Sequence, residues 1–196
     1  GKNDASADFT GHFDKLTLIG KQTVSFELET LKSRTGGGSE ADSIAKAAEL
    51  AQSADIAVLC VGTDGHVEGE GRDRKSLGLP GSQEDLVKAV LAANPRTIVV
   101  QMSAGPLTVP WLKEHAPAML QAWWSGEEGG HAIADVLFGD VNPAGRLPHT
   151  VYASESQLPP QDEYDISKGF PYLYVRGEPL YAFGHGLSYT TFAYSD

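Results

Sequence analysis

The chain has 196 residues, 41% of them hydrophobic and 21% charged, a composition that supports one domain with a sizeable core and argues against disorder. Fifteen Lys and Arg against 26 Asp and Glu give a formal charge of -11, which opposes binding to nucleic-acid phosphates or to an anionic membrane surface. The single cysteine, Cys60, excludes an intrachain disulfide and a cysteine-based zinc site and leaves the redox compartment open.

The amino terminus, GKNDASADFTG, has neither the basic end nor the apolar stretch of a signal peptide, and no initiating methionine. It is expected to lie inside a longer polypeptide or at a processing site. No apolar run approaches the length of a membrane span. Residues 13–31, FDKLTLIGKQTVSFELETL, alternate apolar and polar positions around Gly20, the pattern of a half-buried antiparallel hairpin. SRTGGGSE then reads as a flexible joint, so a boundary near 36 divides a hairpin and linker segment, 1–35, from a domain, 36–196. Ser39 and Asp42 are placed to cap a helix over EADSIAKAAELAQSA.

From there apolar strands alternate with amphipathic helices. They are DIAVLCVG (55–62), a helix over 82–93, RTIVVQM (96–102), a short helix near 108–114, AMLQAW (118–123) and a helix over 128–138. Continuous apolar strands in such alternation predict an α/β fold, a mostly parallel sheet with helices on both faces, a three-layer α/β sandwich preceded by the hairpin. After residue 140 the pattern fades into long, ordered surface loops and short strands.

In a parallel sheet, ligands bind outside the carboxyl ends of the strands. The loops expected there are TDGHVEGEGRDR, SAGPLT and WSGEEGG, and the first crowds charge around three glycines. Glu68 and Glu70 stand two apart, on the same side of the segment if it is extended. A carboxyl pair suggests acid/base work, yet a two-carboxylate glycosidase needs its carboxyl groups on opposite faces of the sugar. One of the two is therefore expected to act as an acid with a second carboxylate supplied from elsewhere. Asp73 and Arg74 read as a structural ion pair anchoring the loop. A solvated rim and a metal site built from Asp64, Glu68, Glu70 and Asp73 are the other readings, and the interleaved arginines work against the metal.

Trp123 and Trp124 end the third parallel strand, and their amphipathic rings suit sugar stacking, with core packing as the alternative for one of them. Glu127 and Glu128 open a helix and are expected to act on its dipole. His66, His115, His131, His149 and His185 are scattered without metal-ligand spacing and read as structural or exposed. No GxSxG, GxxxxGK[ST] or GxGxxG motif follows a strand, which removes the serine-hydrolase and nucleotide readings. Cys60 reads as a small buried hydrophobe.

Three segments in order, VEGEGRDRKSLGLPGSQEDLV, WWSGEEGGHAIADVLFGDVNPAGRLPHT and GEPLYAFGHGLSYTTF, resemble the C-terminal α/β-sandwich domain of glycoside hydrolase family 3, the β-glucosidases and β-xylosidases, over about residues 40–196. The resemblance implies a retaining, exo-acting β-glycosidase. In that family a (β/α)8 barrel carries an aspartate nucleophile and the sandwich domain lends the acid/base glutamate. By motif position Glu70, in EGxDR, corresponds to that acid/base, with Glu68 as the fallback. The missing carboxylate then belongs to a barrel domain in the same or a partner polypeptide, and this chain alone is expected to be inactive. The resemblance further implies a β-linked oligosaccharide or aryl glycoside as substrate, no cofactor, and a secreted or periplasmic location. Trp123, Trp124, Tyr172 and Tyr174 are candidates for the sugar-binding wall, with Arg72 as a further substrate contact. FGHGLSY reads as structural. The hairpin is open to reading as the tail of an inserted β-domain of the kind some members carry. A non-catalytic carbohydrate-binding or scaffolding domain is the competing reading, and a metal-dependent hydrolase a third.

Overall fold

The computed structural model describes residues 15–19, 24–27, 39–170 and 173–195. These fall into two compact units, one formed by the chain to Leu107 with Trp111–Ser125, the other by Thr108–Pro110 with the chain from Gly126 onward.

The first unit is a five-stranded sheet and the helices that connect its strands. Its strands β1 (Lys15–Ile19), β2 (Val24–Glu27), β3 (Ile56–Gly62), β4 (Thr97–Met102) and β5 (Ala118–Gln121) lie in the order β2-β1-β3-β4-β5. β3, β4 and β5 are parallel, with Leu59 beside Val99 and Val99 beside Met119. The hairpin expected at 13–31 forms as β1 and β2, and β1 pairs antiparallel with β3, so it makes one edge of the same sheet. The chain is thus an α/β sandwich. Residues 57–62 are all buried, which explains why β3 reads as an unbroken apolar run. Burying a side chain such as Leu59, 0% exposed, contributes roughly 1.5–3 kcal/mol.

Helix α1 (Glu40–Gln52) starts at the predicted cap. The Asp42 N–H donates to the Ser39 hydroxyl at 3.2 Å while the Ser39 N–H donates to the Asp42 carboxylate at 2.9 Å. The Ser39 backbone N–H, followed by its hydroxyl, holds the Asp42 carboxyl below its ordinary pKa. Helix α2 (Gln83–Ala93) packs on α1 and connects β3 to β4. Asn94 ties the ends of both helices together: its backbone N–H donates to the Val90 carbonyl at the end of α2, and its side-chain amide donates to the Ala51 and Ala54 carbonyls at 2.9 Å, at the end of α1 and just beyond it. Helix α3 (Pro110–His115) lies between β4 and β5 in sequence. No helix among the described residues is long and apolar enough to cross a membrane.

The second unit contains helix α4 (Gly129–Phe138) and short 3-10 turns at Glu155–Gln157 and Ile166–Lys168. The short strands expected after residue 140 are isolated contacts: Val151 bridges Tyr181, and Leu147 exchanges backbone bonds with Gly184 and His185. Side chains supply the rest of the pairing. Asn142 accepts from the Tyr189 N–H at 2.8 Å and donates to Ser188, while the Tyr189 hydroxyl donates to the Val136 carbonyl at 2.7 Å. Gln157 accepts from the Ala153 N–H at 2.7 Å and donates to the Arg176 carbonyl at 3.0 Å. FGHGLSY is tied into this lattice by Gly184, His185 and Tyr189, in keeping with a structural role.

Candidate functional site

The charged loop leaves β3 at Gly62. A Cβ there would lie 1.7 Å from the Met102 carbonyl oxygen, so β3 and β4 approach at a distance only glycine permits. Thr63 continues the ladder by donating its N–H to the Met102 carbonyl at 2.9 Å. Asp64 then turns the chain: its carboxylate accepts from the His66 N–H at 2.8 Å and the Val67 N–H at 3.2 Å. Arg72 braces the loop from within, donating to the Gly65 carbonyl at 2.8 Å and the His66 carbonyl at 3.2 Å.

The loop is folded and not extended. Gly69 and Arg72 exchange backbone hydrogen bonds of 3.1 and 3.0 Å around a tight turn whose central residues are Glu70 and Gly71. Gly71 has φ 71°, a value the third position of a type II turn demands. The expectation that Glu68 and Glu70 share one side of an extended segment is therefore corrected: Glu68 is 9% exposed and Glu70 is exposed at the tip of the turn.

Glu68 is surrounded by donors. One carboxylate oxygen lies 2.8 Å from Arg74 Nε, and the other accepts from the Thr63 hydroxyl and from the Ala104 N–H at 3.0 Å. Arg74 donates in turn to the Pro106 carbonyl at 2.9 Å. Gly105 makes room for it, because a Cβ there would come within 2.9 Å of Arg74 Nη2. Arg74 does anchor the loop, with Glu68 as its partner in place of Asp73, whose side chain is exposed. The Gly105 N–H adds a longer bond at 3.5 Å, and a carboxylate held by all of these donors is fixed in place.

The third loop begins where β5 stops, at Gln121, two residues short of the strand expected through 123. Trp123 has φ 57°, the left-handed region, which costs a non-glycine residue on the order of 1–3 kcal/mol and breaks the strand. Trp124 is 39% exposed, and its indole N–H donates to the Thr63 carbonyl at 2.9 Å. Loops after β3, β4 and β5 are thus joined through Thr63, Glu68, Arg74, Ala104 and Trp124. Of these, Thr63 and Ala104 had no motif to mark them. Their only signal in the sequence is position at the carboxyl ends of two apolar strands.

Among the remaining candidates, Tyr174 is exposed in the second unit, and Tyr172 lies outside the described residues. Glu127 and Glu128 are exposed, and Glu128 pairs with His131 at 2.7 Å instead of bonding the helix end. His66, His115, His131 and His185 are exposed and His149 is half-buried. His115 stacks on Trp111 with ring centres 4.2 Å apart. Cys60 is buried as expected. Among the described residues no three His, Cys, Asp or Glu side chains cluster to hold a metal.

Comparison with known proteins places this arrangement. The family model described as the glycosyl hydrolase family 3 C-terminal domain matches residues 4–189. A probable beta-glucosidase J of Aspergillus fumigatus is 44% identical over 178 residues, covering 83% of this chain and 20% of that protein. A beta-glucosidase of Rhizobium radiobacter is 42% identical over 167 residues, covering 77% and 20%. The crystal structure of a beta-glucosidase from Kluyveromyces marxianus in complex with glucose superposes with a TM-score of 0.73 at 38% identity, covering 87% of this chain and 21% of that one. The chain spans about a fifth of the length of the relatives it matches.

Proposed function

The chain belongs to glycoside hydrolase family 3 as its C-terminal domain, and from that membership we propose that it supplies the acid/base glutamate and part of the sugar-binding cleft of a retaining β-glycosidase. The nucleophilic aspartate comes from a barrel domain outside these residues. Glu70 is the acid/base. The observation that carries this choice is the contrast within one loop: Glu70 is exposed at the tip of a braced turn, whereas Glu68 is buried against Arg74, Thr63 and Ala104. A group that must give up and take back a proton needs access to the reacting oxygen, and a buried carboxylate ringed by donors lacks it.

In the first step Glu70 protonates the glycosidic oxygen while the external aspartate attacks the anomeric carbon, the leaving alcohol departs, and a covalent glycosyl-enzyme forms with inversion. In the second, Glu70 takes a proton from water as its oxygen attacks the same carbon and releases the aspartate; two inversions give net retention. Trp123 and Trp124 form a wall for the sugar ring, and Arg72 holds the loop and lies within reach of substrate hydroxyls. Tyr172 and Tyr174 stand as candidate sugar contacts in their own right. The substrate class is a β-linked glucoside or xyloside, and the protein acts outside the cytoplasm, secreted or periplasmic.

The test is Glu70→Gln in the full-length enzyme. Proton donation matters most when the leaving alcohol is poor, so hydrolysis of alkyl β-glucosides should slow by roughly a hundredfold or more while nitrophenyl glucosides lose far less in the glycosylation step. Equal losses on both substrates would remove Glu70 from the role.

A further inference from the structure

Thr63 is held from three sides. Its N–H donates to the Met102 carbonyl at 2.9 Å, its carbonyl accepts from Trp124 Nε1 at 2.9 Å, and its hydroxyl donates to Glu68. The residue is 1% exposed, so water does not compete for these groups. Valine has nearly the same shape and suits a buried strand end better. A hydroxyl at such a position is costly unless it is bonded, and here its acceptor is a carboxylate oxygen, the stronger kind of partner. The same oxygen takes the Ala104 N–H at 3.0 Å, and Arg74 fixes the other. Glu68 directly precedes the turn from Gly69 to Arg72, so a shift of its side chain and backbone carries Glu70 with it. On the other side, Trp124 follows Trp123, whose φ of 57° turns the chain out of β5, and the bond to the Thr63 carbonyl ties that turn to the charged loop.

We propose that Thr63 is a positioning residue for Glu70 and Trp124 together. Through Glu68 it fixes the root of the turn that bears the proton donor, and through its carbonyl it fixes the aromatic loop, so that the two keep one spacing. This rests on the reading of Glu70 as acid/base and Trp124 as a sugar contact.

The experiment uses the full-length polypeptide and two measurements, hydrogen–deuterium exchange and steady-state hydrolysis of alkyl and nitrophenyl β-glucosides. Thr63→Val, which loses the hydroxyl and keeps the carbonyl, should raise exchange about fivefold or more in peptides covering 64–74 and leave those covering 122–126 near the parent. It should lower kcat for the alkyl substrate about tenfold more than for the nitrophenyl one, with KM within about twofold. Thr63→Ser, which keeps the hydroxyl, should stay near the parent on every measure. Trp124→Phe, at a part-exposed position where folding is less at stake, removes the donor to the Thr63 carbonyl together with part of the indole, and should raise exchange in 122–126 and, through Thr63, in 64–74. Exchange in 64–74 unchanged by Thr63→Val, exchange in 122–126 unchanged by Trp124→Phe, equal kinetic losses on both substrates with Thr63→Val, or Thr63→Ser as impaired as Thr63→Val would each overturn the proposal. Glu70→Gln in the same assay separates the two ideas. If it discriminates between leaving groups and Thr63→Val does not, the inference falls and the reading of Glu70 stands; if it slows both substrates equally, that reading falls whatever the exchange shows.

Discussion

Glu68 and Arg74 form an ion pair at 2.8 Å in which each side chain is about nine-tenths buried. Pairs of this kind add little over an apolar replacement of both partners, but deleting one leaves the other charged and dry. Arg74→Ala is therefore expected to destabilise the domain by about 3–5 kcal/mol. Arg74→Lys should recover little, because a single ammonium cannot reach both the Glu68 carboxylate and the Pro106 carbonyl that the guanidinium bonds at 2.9 Å. Urea denaturation of the three proteins measures this, and a loss below about 1 kcal/mol for Arg74→Ala would show that water reaches the pair.

Gly62→Ala should be more damaging than its one carbon suggests. The added Cβ would sit 1.7 Å from the Met102 oxygen, a backbone atom that can retreat only by parting β3 from β4. Stability should fall by roughly 3 kcal/mol or more, read as a lowered unfolding midpoint or loss of soluble protein. A midpoint unchanged from the parent would mean that the two strand ends separate freely.

His149 gives the second unit a pH dependence with a definite sign. Burial lowers its pKa from the ordinary value of 6.5, so the folded state resists the proton that the unfolded chain accepts. Between 6.5 and the lower folded value the unfolded state binds more protons, and stability rises with pH. The contribution is fully present above 6.5 and is lost as the pH falls below it. His149→Gln should flatten the decline in stability measured from about pH 7 down to about pH 5. Identical slopes in parent and variant would assign the decline to other groups.

The sheet was legible because β3 and β4 are buried along nearly their whole length, so β3 carries no polar residue and β4 keeps an unbroken apolar run from Ile98 to Val100 between Thr97 and Gln101. The start of α1 was legible for a local reason, since Ser39 and Asp42 satisfy each other within one turn. What escaped was anything settled by a distant backbone. Glu68 finds its amide donor at Ala104, 36 positions away, and nothing in VEGEGRDR distinguishes the buried glutamate from the exposed one. The end of β5 was misjudged because a tryptophan at φ 57° violates the residue preference that a reading by propensity relies on. Beyond residue 140 the chain is held by side-chain amides such as Asn142 and Gln157 bonding to backbone groups, a mode of pairing that leaves no periodicity to read.

Gly62, the last residue of β3, is bonded by a side chain as well as by its neighbouring strand. The Gln83 side chain, at the first residue of α2, accepts the Gly62 N–H at 2.8 Å and donates to the Gly62 carbonyl at 3.0 Å. A carboxamide presents the same donor and acceptor as a peptide group, so this side chain bonds Gly62 as a neighbouring backbone would. The imitation is chemically unforgiving. Glutamate in the same place has the same outline but no donor when ionised, and would turn an oxygen toward the Gly62 carbonyl where a bond now stands. One atom, nitrogen in place of oxygen, thus decides whether the end of β3 is bonded or repelled at the point where the charged loop begins.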